Sequence, residues 1–165
     1  MNGAMDIAAI ETPLGYLELS VADDHLNAVD VVDTPTVAPL GRHAPGPARV
    51  AALLRAYFDG DLGAIDEIPV RPLIGTSFMR DVWAALRSVP AGETCSYREL
   101  AEMVGRPTAF RAVGQANGRN PTGIVVPCHR VIASDGRLGG YTGGLDRKRW
   151  LLAHEGAQVN GETFV

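Results

Sequence analysis

Cysteine is scarce in this chain of 165 residues: Cys95 and Cys128 are its two examples. With no CxxC pair and no Cys/His set at zinc-finger spacing, the sequence argues against an oxidised framework and against a metal site. Long apolar runs are missing as well. The longest, 50–54 and 82–86, reach five residues, far short of the roughly 20 that cross a bilayer. The opening residues carry acids at Asp6 and Glu11 but no base and no apolar stretch, so no secretory signal is read and a cytoplasmic protein is expected. No internal repeat or low-complexity tract is evident.

What is present is a globular composition with an uneven charge. The formal net charge is −4, which argues mildly against nucleic acid as a partner until it is split by position. Residues 1–70 hold three Arg and eleven acids, 3 − 11 = −8, whereas residues 71–165 hold eleven Arg and one Lys against eight acids, 12 − 8 = +4. Such an asymmetry marks either a binding half or a solvated basic face.

Turn and periodicity signals divide the chain. In the segment 16–21, Leu17, Leu19 and Val21 alternate between Pro13-Leu14-Gly15 and Asp23-Asp24, the pattern of a strand in an antiparallel meander. Four prolines and two glycines within 34–47 predict a long surface loop. Val50, Leu53, Leu54, Tyr57 and Phe58 recur at helical spacing before Gly60, a left-handed cap position. The prolines of 68–72 coincide with the charge switch, giving an expected boundary between an N-terminal α/β domain, 1–72, and a C-terminal domain, 73–165.

Beyond the boundary, Phe78, Val82, Ala85, Leu86 and Val89 form an apolar stripe opened by Thr76 or Ser77 and stopped by Pro90, with Trp83 assigned to the core. Ser96-Tyr97-Arg98-Glu99 is a capping-box sequence opening a short helix that ends at Gly105, and Thr108 is placed to cap a second helix reaching about Gly118. Two short helices joined by a glycine-containing turn fit helix-turn-helix, though other helical hairpins share the pattern. On the second helix, Ala109, Ala112 and Ala116 are expected on one face, with Gly114 and Gly118 a second bare strip; Arg111 either reaches a phosphate or a base stack, or is a solvated arginine.

The apolar run Ile124-Val125-Val126 reads as a buried strand, and just past it Pro127-Cys128-His129-Arg130-Val131 places a thiol beside an imidazole. A thiol of pKa near 8.5 is mostly protonated at neutral pH, and an imidazole or nearby cation raises its thiolate fraction. Cys95 lacks such neighbours and is read as a small buried hydrophobe. The ring of His129 needs an orienting group, failing which it is a turn histidine satisfied by backbone; Glu155, after a helix expected over 146–154, is the candidate carboxylate. The glycine-rich stretch 135–144 either lets backbone approach a flat ligand or is a flexible loop.

Taken together, PCHRV at 127–131, SYRELA at 96–101, RAVGQAN at 111–117, NP at 120–121, GYTGGLDRKRWLL at 140–152 and HEG at 154–156 resemble the O6-alkylguanine-DNA alkyltransferase family over about 75–156. The N-terminal part matches only in general layout. The fold class expected is α+β: a small N-terminal antiparallel sheet with a helix, then a mostly helical domain with a winged-helix-like helix-turn-helix.

The resemblance implies that Cys128 takes an alkyl group irreversibly from O6 of a damaged guanine, consuming the protein, with no cofactor. It further implies His129 as water-mediated base, Glu155 as its orienter, Asn120 as a hinge residue, Tyr97 as a donor to the base and the Thr142 amide as a donor to O6. Val131 and Cys128 would offer carbonyls, and Tyr141 would complete the base pocket. The DNA-facing set implied is Tyr97, Thr108, Arg111, Ala112, Gly114 and Gln115, with Arg111 filling the gap left by a flipped base. The implied partner is double-stranded DNA carrying O6-alkylguanine, bound by a protein monomeric in solution and able to cluster on DNA, without membrane association. Some family members hold zinc in the N-terminal domain through cysteines and histidines; residues 1–94 contain no cysteine, so none is expected here. Thr142 stands where serine is also found, and its methyl narrows the pocket mouth. The rival readings are a damage sensor without chemistry, a thiol hydrolase and a plain DNA-binding regulator.

Overall fold

The structure, a computed structural model, describes residues 4–39, 47–159 and 162–163. Its contacts cluster into two units: Met1–Ile74 with Pro121–Val125, and Gly75–Asn120 with Val126–Val165. The return of Pro121–Val125 to the first unit accompanies a bond from the Val29 amide to the Pro121 carbonyl at 2.8 Å.

In the first unit, strands β1 (Asp6–Thr12), β2 (Gly15–Ala22) and β3 (His25–Val32) form an antiparallel sheet in that order. The alternation in β2 buries Leu17, Leu19 and Val21. Asp23 and Asp24 both take positive φ, 51° and 60°, as a two-residue hairpin turn requires; Asp tolerates that region because its short side chain bonds locally. Helix α1 (Ala48–Phe58) buries Val50, Leu54 and Tyr57 and ends before Gly60 at φ 111°. Of the expected loop, 34–39 is irregular apart from a bridge between Pro39 and Ala9; positions 40–46 lie outside the described residues.

In the second unit, α2 (Ser77–Leu86) is capped by the Thr76 hydroxyl, which accepts from the Met79 amide at 3.2 Å. It stops short of Pro90: the Ser88 and Val89 amides turn to carbonyls three residues back, tightening the end into a 3₁₀ turn. Trp83 is core, its indole N–H donating to the Ala116 carbonyl at 2.7 Å. Cys95 lies in β4 (Cys95–Ser96), parallel to β5 (Val131–Ile132), and is buried as expected. The capping box is complete, Ser96 accepting from Glu99 N at 3.0 Å and Glu99 accepting from Ser96 N at 2.7 Å, and it opens α3 (Tyr97–Met103).

Three expectations are corrected here. Thr108 does not cap α4 (Phe110–Gly118): the Ala109 amide turns back to the Arg106 carbonyl, and Ala109 occupies the cap position without a side-chain bond. The alanine face is split, because the inner face runs through Val113, Ala116 and Asn117, leaving Ala112 exposed while Ala116 is buried. Residues 124–126 form a turn rather than a strand, with Ile124 at φ 74°; apolar periodicity reports burial and cannot tell a buried turn from a short strand. A 3₁₀ turn (Cys128–Arg130) follows, then α5 (Leu145–His154) and the short pair β6 (Gln158–Val159) and β7 (Glu162–Thr163). Among the described residues, no helix is long and apolar enough to cross a membrane.

Candidate active site

Cys128 opens the 3₁₀ turn and lines a cavity of about 330 Å³ in the second unit, together with Tyr97, Gly114, Asn117, Gly118, Gly140, Tyr141 and Thr142. The elements behind this wall explain its composition. The capping box aims the first residue of α3, Tyr97, at the glycine-rich segment, and Gly139 takes φ 70° so close to Tyr97 that a Cβ there would stand 3.2 Å from the phenol oxygen. Gly114 on α4 faces the same ring, where a Cβ would stand in ordinary contact at 3.5 Å. Thr142 reaches from the rim to donate to the Gly118 carbonyl at 2.9 Å.

Behind Cys128 lies a buried charged group. The His129 ring is bonded through Nε2 to Glu155 Oε1. Arg130, also buried, donates from Nε to the two carboxylate oxygens of Glu155 at 3.1 and 3.0 Å and from Nη2 to Oε2, while Nη1 donates to the Val89 carbonyl at 2.6 Å. Burial pushes the Glu155 carboxyl up, but the hydrogen bonds and charges of His129 and Arg130 outweigh it and hold the group at about 2. Burial pushes the His129 ring down despite Glu155, so the imidazole is neutral. An ionised Glu155 facing Nε2 assigns the proton to that nitrogen and leaves Nδ1 with a lone pair that has no partner among the described residues.

The thiol is in the opposite situation to the one expected. Burial raises the Cys128 pKa, and the Asn120 hydrogen bond and the Lys148 charge offset only part of that rise. At rest Cys128 is a thiol. Asn120, just past α4, donates from Nδ2 to the Val126 carbonyl at 2.8 Å, and Asn117 donates to the Cys128 carbonyl at 3.4 Å. The Tyr97 phenol is raised, by burial and the Cys128 charge against a backbone hydrogen bond from Gly140, and burial raises Tyr141 as well. Both phenols are protonated donors at neutral pH.

Of the anticipated residues, the structure brings Tyr97, Gly114, Cys128, Tyr141 and Thr142 to one cavity and sets His129, Glu155 and Asn120 behind it. Arg111, Ala112, Gln115 and Thr108 are exposed on or before α4. Val131 is buried in β5, does not line the cavity, and its carbonyl already accepts from Lys148 Nζ at 2.6 Å. Two buried cations beside the site are not anticipated by the sequence, Arg130 and Lys148. Both are long cations, which default to the surface, and the adjacency of Arg130 to Cys128 and His129 was the one available signal.

Residues 77–157 match the family model of the 6-O-methylguanine DNA methyltransferase DNA-binding domain. The chain is 53% identical over 113 residues to the methylated-DNA–protein-cysteine methyltransferase of Shigella flexneri, covering 68% of this chain and 66% of that relative. It is 45% identical over 155 residues to the one of Mycolicibacterium paratuberculosis, covering 92% of each. The crystal structure of Mycobacterium tuberculosis OGT in complex with DNA is similar with a TM-score of 0.78 and 39% identity, covering 91% of this chain and 92% of that one. The chain therefore belongs to the methylated-DNA–protein-cysteine methyltransferase family.

Proposed function

We propose that this protein repairs DNA by receiving an extrahelical O6-alkylguanine in the cavity and transferring its alkyl group, once and irreversibly, to Cys128. The observation that carries the reading is the thiol at the cavity wall backed by a neutral imidazole whose Nε2 is bonded to an ionised glutamate. In this arrangement His129 Nδ1 takes the thiol proton through a water, and the imidazolium so formed is stabilised by Glu155. The sulfur attacks the carbon on O6, the S–C bond forms as the C–O6 bond breaks, and the electron pair stays on guanine. Donors at the base, the Tyr97 hydroxyl and the Thr142 amide, stabilise that charge until guanine gains a proton. A thioether offers no ready leaving path, so the protein is consumed.

The cavity wall borders α4, and the exposed side of that helix supports the delivery step. Its exposed residues Ala112 and Gln115 are small or uncharged, suited to close approach in a minor groove, and Arg111 is a long cation able to occupy the space left by a base turned out of the stack. Helices α3 and α4 act in this reading as a helix-turn-helix, residues 73–165 as the DNA-binding and alkyl-acceptor domain and 1–72 as the N-terminal domain, in a cytoplasmic protein monomeric off DNA. The M. tuberculosis relative was crystallised with DNA, which supports the partner class.

Incubation with a duplex containing O6-methylguanine, followed by intact-mass and peptide analysis, tests this directly. One methyl group on Cys128 is expected, with one equivalent repaired per protein molecule. Binding with no gain in mass would indicate a sensor and overturn the reading, as would turnover of many equivalents.

A further inference from the structure

Phe110 opens α4 and has no part in the steps above. Its side chain is 40% exposed, and a lone exposed aromatic needs no explanation by itself. Its place on the helix asks for one. The α4 residues that line the cavity are Gly114, Asn117 and Gly118; they follow Phe110 by four, seven and eight positions, the spacing of one helix face. Phe110 therefore carries the α4 side of the cavity wall one turn further, past the cavity itself. Arg98, the residue after the cavity-lining Tyr97, sets its guanidinium carbon over the Phe110 ring, 5.5 Å from the centroid. Arg98 and Arg111 are both exposed, and α4 carries no acidic residue. An aromatic face between two cations matches a partner that is itself both aromatic and anionic, a nucleobase with its phosphates.

We propose that Phe110 is a positioning residue for duplex substrates, its ring stacking on the base next to the lesion in the lesion's own strand. That neighbour loses a stacking partner when the alkylated nucleotide turns out, and the ring, backed by Arg98, replaces the lost partner. Successive residues of a helix diverge by about 100°, so Phe110 does not share the direction of Arg111 but lies on the row that leads to the cavity. A nucleotide moving from the place taken by Arg111 to the cavity at Gly114 passes beside that row. Its neighbours on the same strand are therefore brought to Phe110, and the base opposite is not. A free alkylated base has no neighbour, so the ring serves repair in duplex alone. The inference rests on the alkyl-transfer reading and adds to it a contact outside the cavity.

Rates of methyl transfer to the full chain check it, on O6-methylguanine duplexes in which the base on one side of the lesion, the base on its other side or the base opposite is replaced by an abasic analogue. On the complete duplex Phe110→Ala is expected to react about tenfold more slowly than the unaltered protein, within the range that loss of one base–aromatic stack produces, while Phe110→Tyr keeps most of the rate. On the duplex lacking the neighbour that the ring meets, the unaltered protein and Phe110→Ala should react at nearly equal rates. Removing the base opposite the lesion should leave the tenfold difference in place. Unchanged reaction with free O6-benzylguanine shows that the variant is folded; Phe110→Leu, which keeps apolar bulk without an aromatic face, should give the same pattern and serves where Phe110→Ala does not fold. A rate on the complete duplex equal to that of the unaltered protein, or a loss that persists on both duplexes lacking a neighbour, would overturn the proposal and leave the ring a surface partner of Arg98. Failure of the unaltered protein to repair any duplex would instead sink the alkyl-transfer reading, and this inference with it.

Discussion

Arg130 holds Glu155 by both carboxylate oxygens, its Nε standing 3.1 Å from one and 3.0 Å from the other. The residue that follows the imidazole in sequence thus fixes the partner of that imidazole from 25 positions away. Removing one member of a buried pair leaves the other charged and desolvated. Arg130→Met is therefore expected to lower unfolding free energy by about 3–5 kcal/mol, measured by urea denaturation. A loss below about 1 kcal/mol, the range of an exposed pair, would contradict the buried clamp.

Acid should weaken the fold through the same residues. Glu155 has a folded pKa of about 2, below its value in an unfolded chain, about 4.3. Between those values the unfolded state binds more protons, so stability rises with pH: the contribution is complete above about 4.3 and is lost as pH falls toward 2. The lowered His129 pKa acts with the same sign, its contribution complete above about 6.5 and lost as pH falls below that. Thermal melts from pH 7 to pH 3 are expected to show a falling midpoint, and in Glu155→Gln the fall below pH 4.3 should shrink. An equal acid slope in both proteins would rule the carboxylate out as its source.

In the proposed reading Arg111 serves delivery of the base and not bond cleavage. It is exposed on α4 and does not line the cavity, so Arg111→Ala is expected to slow repair of O6-methylguanine in duplex by about tenfold or more, roughly 1.4 kcal/mol of barrier. Reaction with free O6-benzylguanine should change little. Parallel losses in the two assays would place Arg111 in the chemistry instead.

Gly139 tests the pocket wall. Its φ of 70° is a left-handed position costing an L-residue about 1–2 kcal/mol, and a Cβ would press on the Tyr97 oxygen at 3.2 Å. Gly139→Ala is expected to slow methyl transfer by more than its loss of stability explains, because it displaces the Tyr97 hydroxyl, the donor proposed for the base. Unaltered second-order rates in a folded Gly139→Ala would show that Tyr97 is not held by this contact.

Much of this site was legible because its parts announce themselves locally. The capping box of Ser96 and Glu99 is a signal within four residues and fixes where Tyr97 begins its helix. The pairing of His129 with Glu155 was readable as a need for an orienting carboxylate, and the structure supplies that bond. What stayed hidden depends on tertiary placement. Lys148 looks like a surface cation between Arg147 and Arg149, and only the carbonyls converging on it reveal the inward turn. Ile124 sits at a positive φ that β-branched residues avoid, so a strand was the natural inference from its neighbours. The split between Ala112 and Ala116 follows from which side of α4 meets Trp83, a fact absent from the spacing of the alanines.

The bond from the Thr142 hydroxyl to Gly118 spans the mouth of the cavity from loop to helix. A hook of this kind, solvent-facing and made by a single oxygen, yields for about 0.5–1.5 kcal/mol, little beside the effort of unstacking a base. The tie between loop and helix at the cavity wall is therefore cheap to break and re-form. Serine would keep this tie, and valine, with no hydroxyl, would lose it.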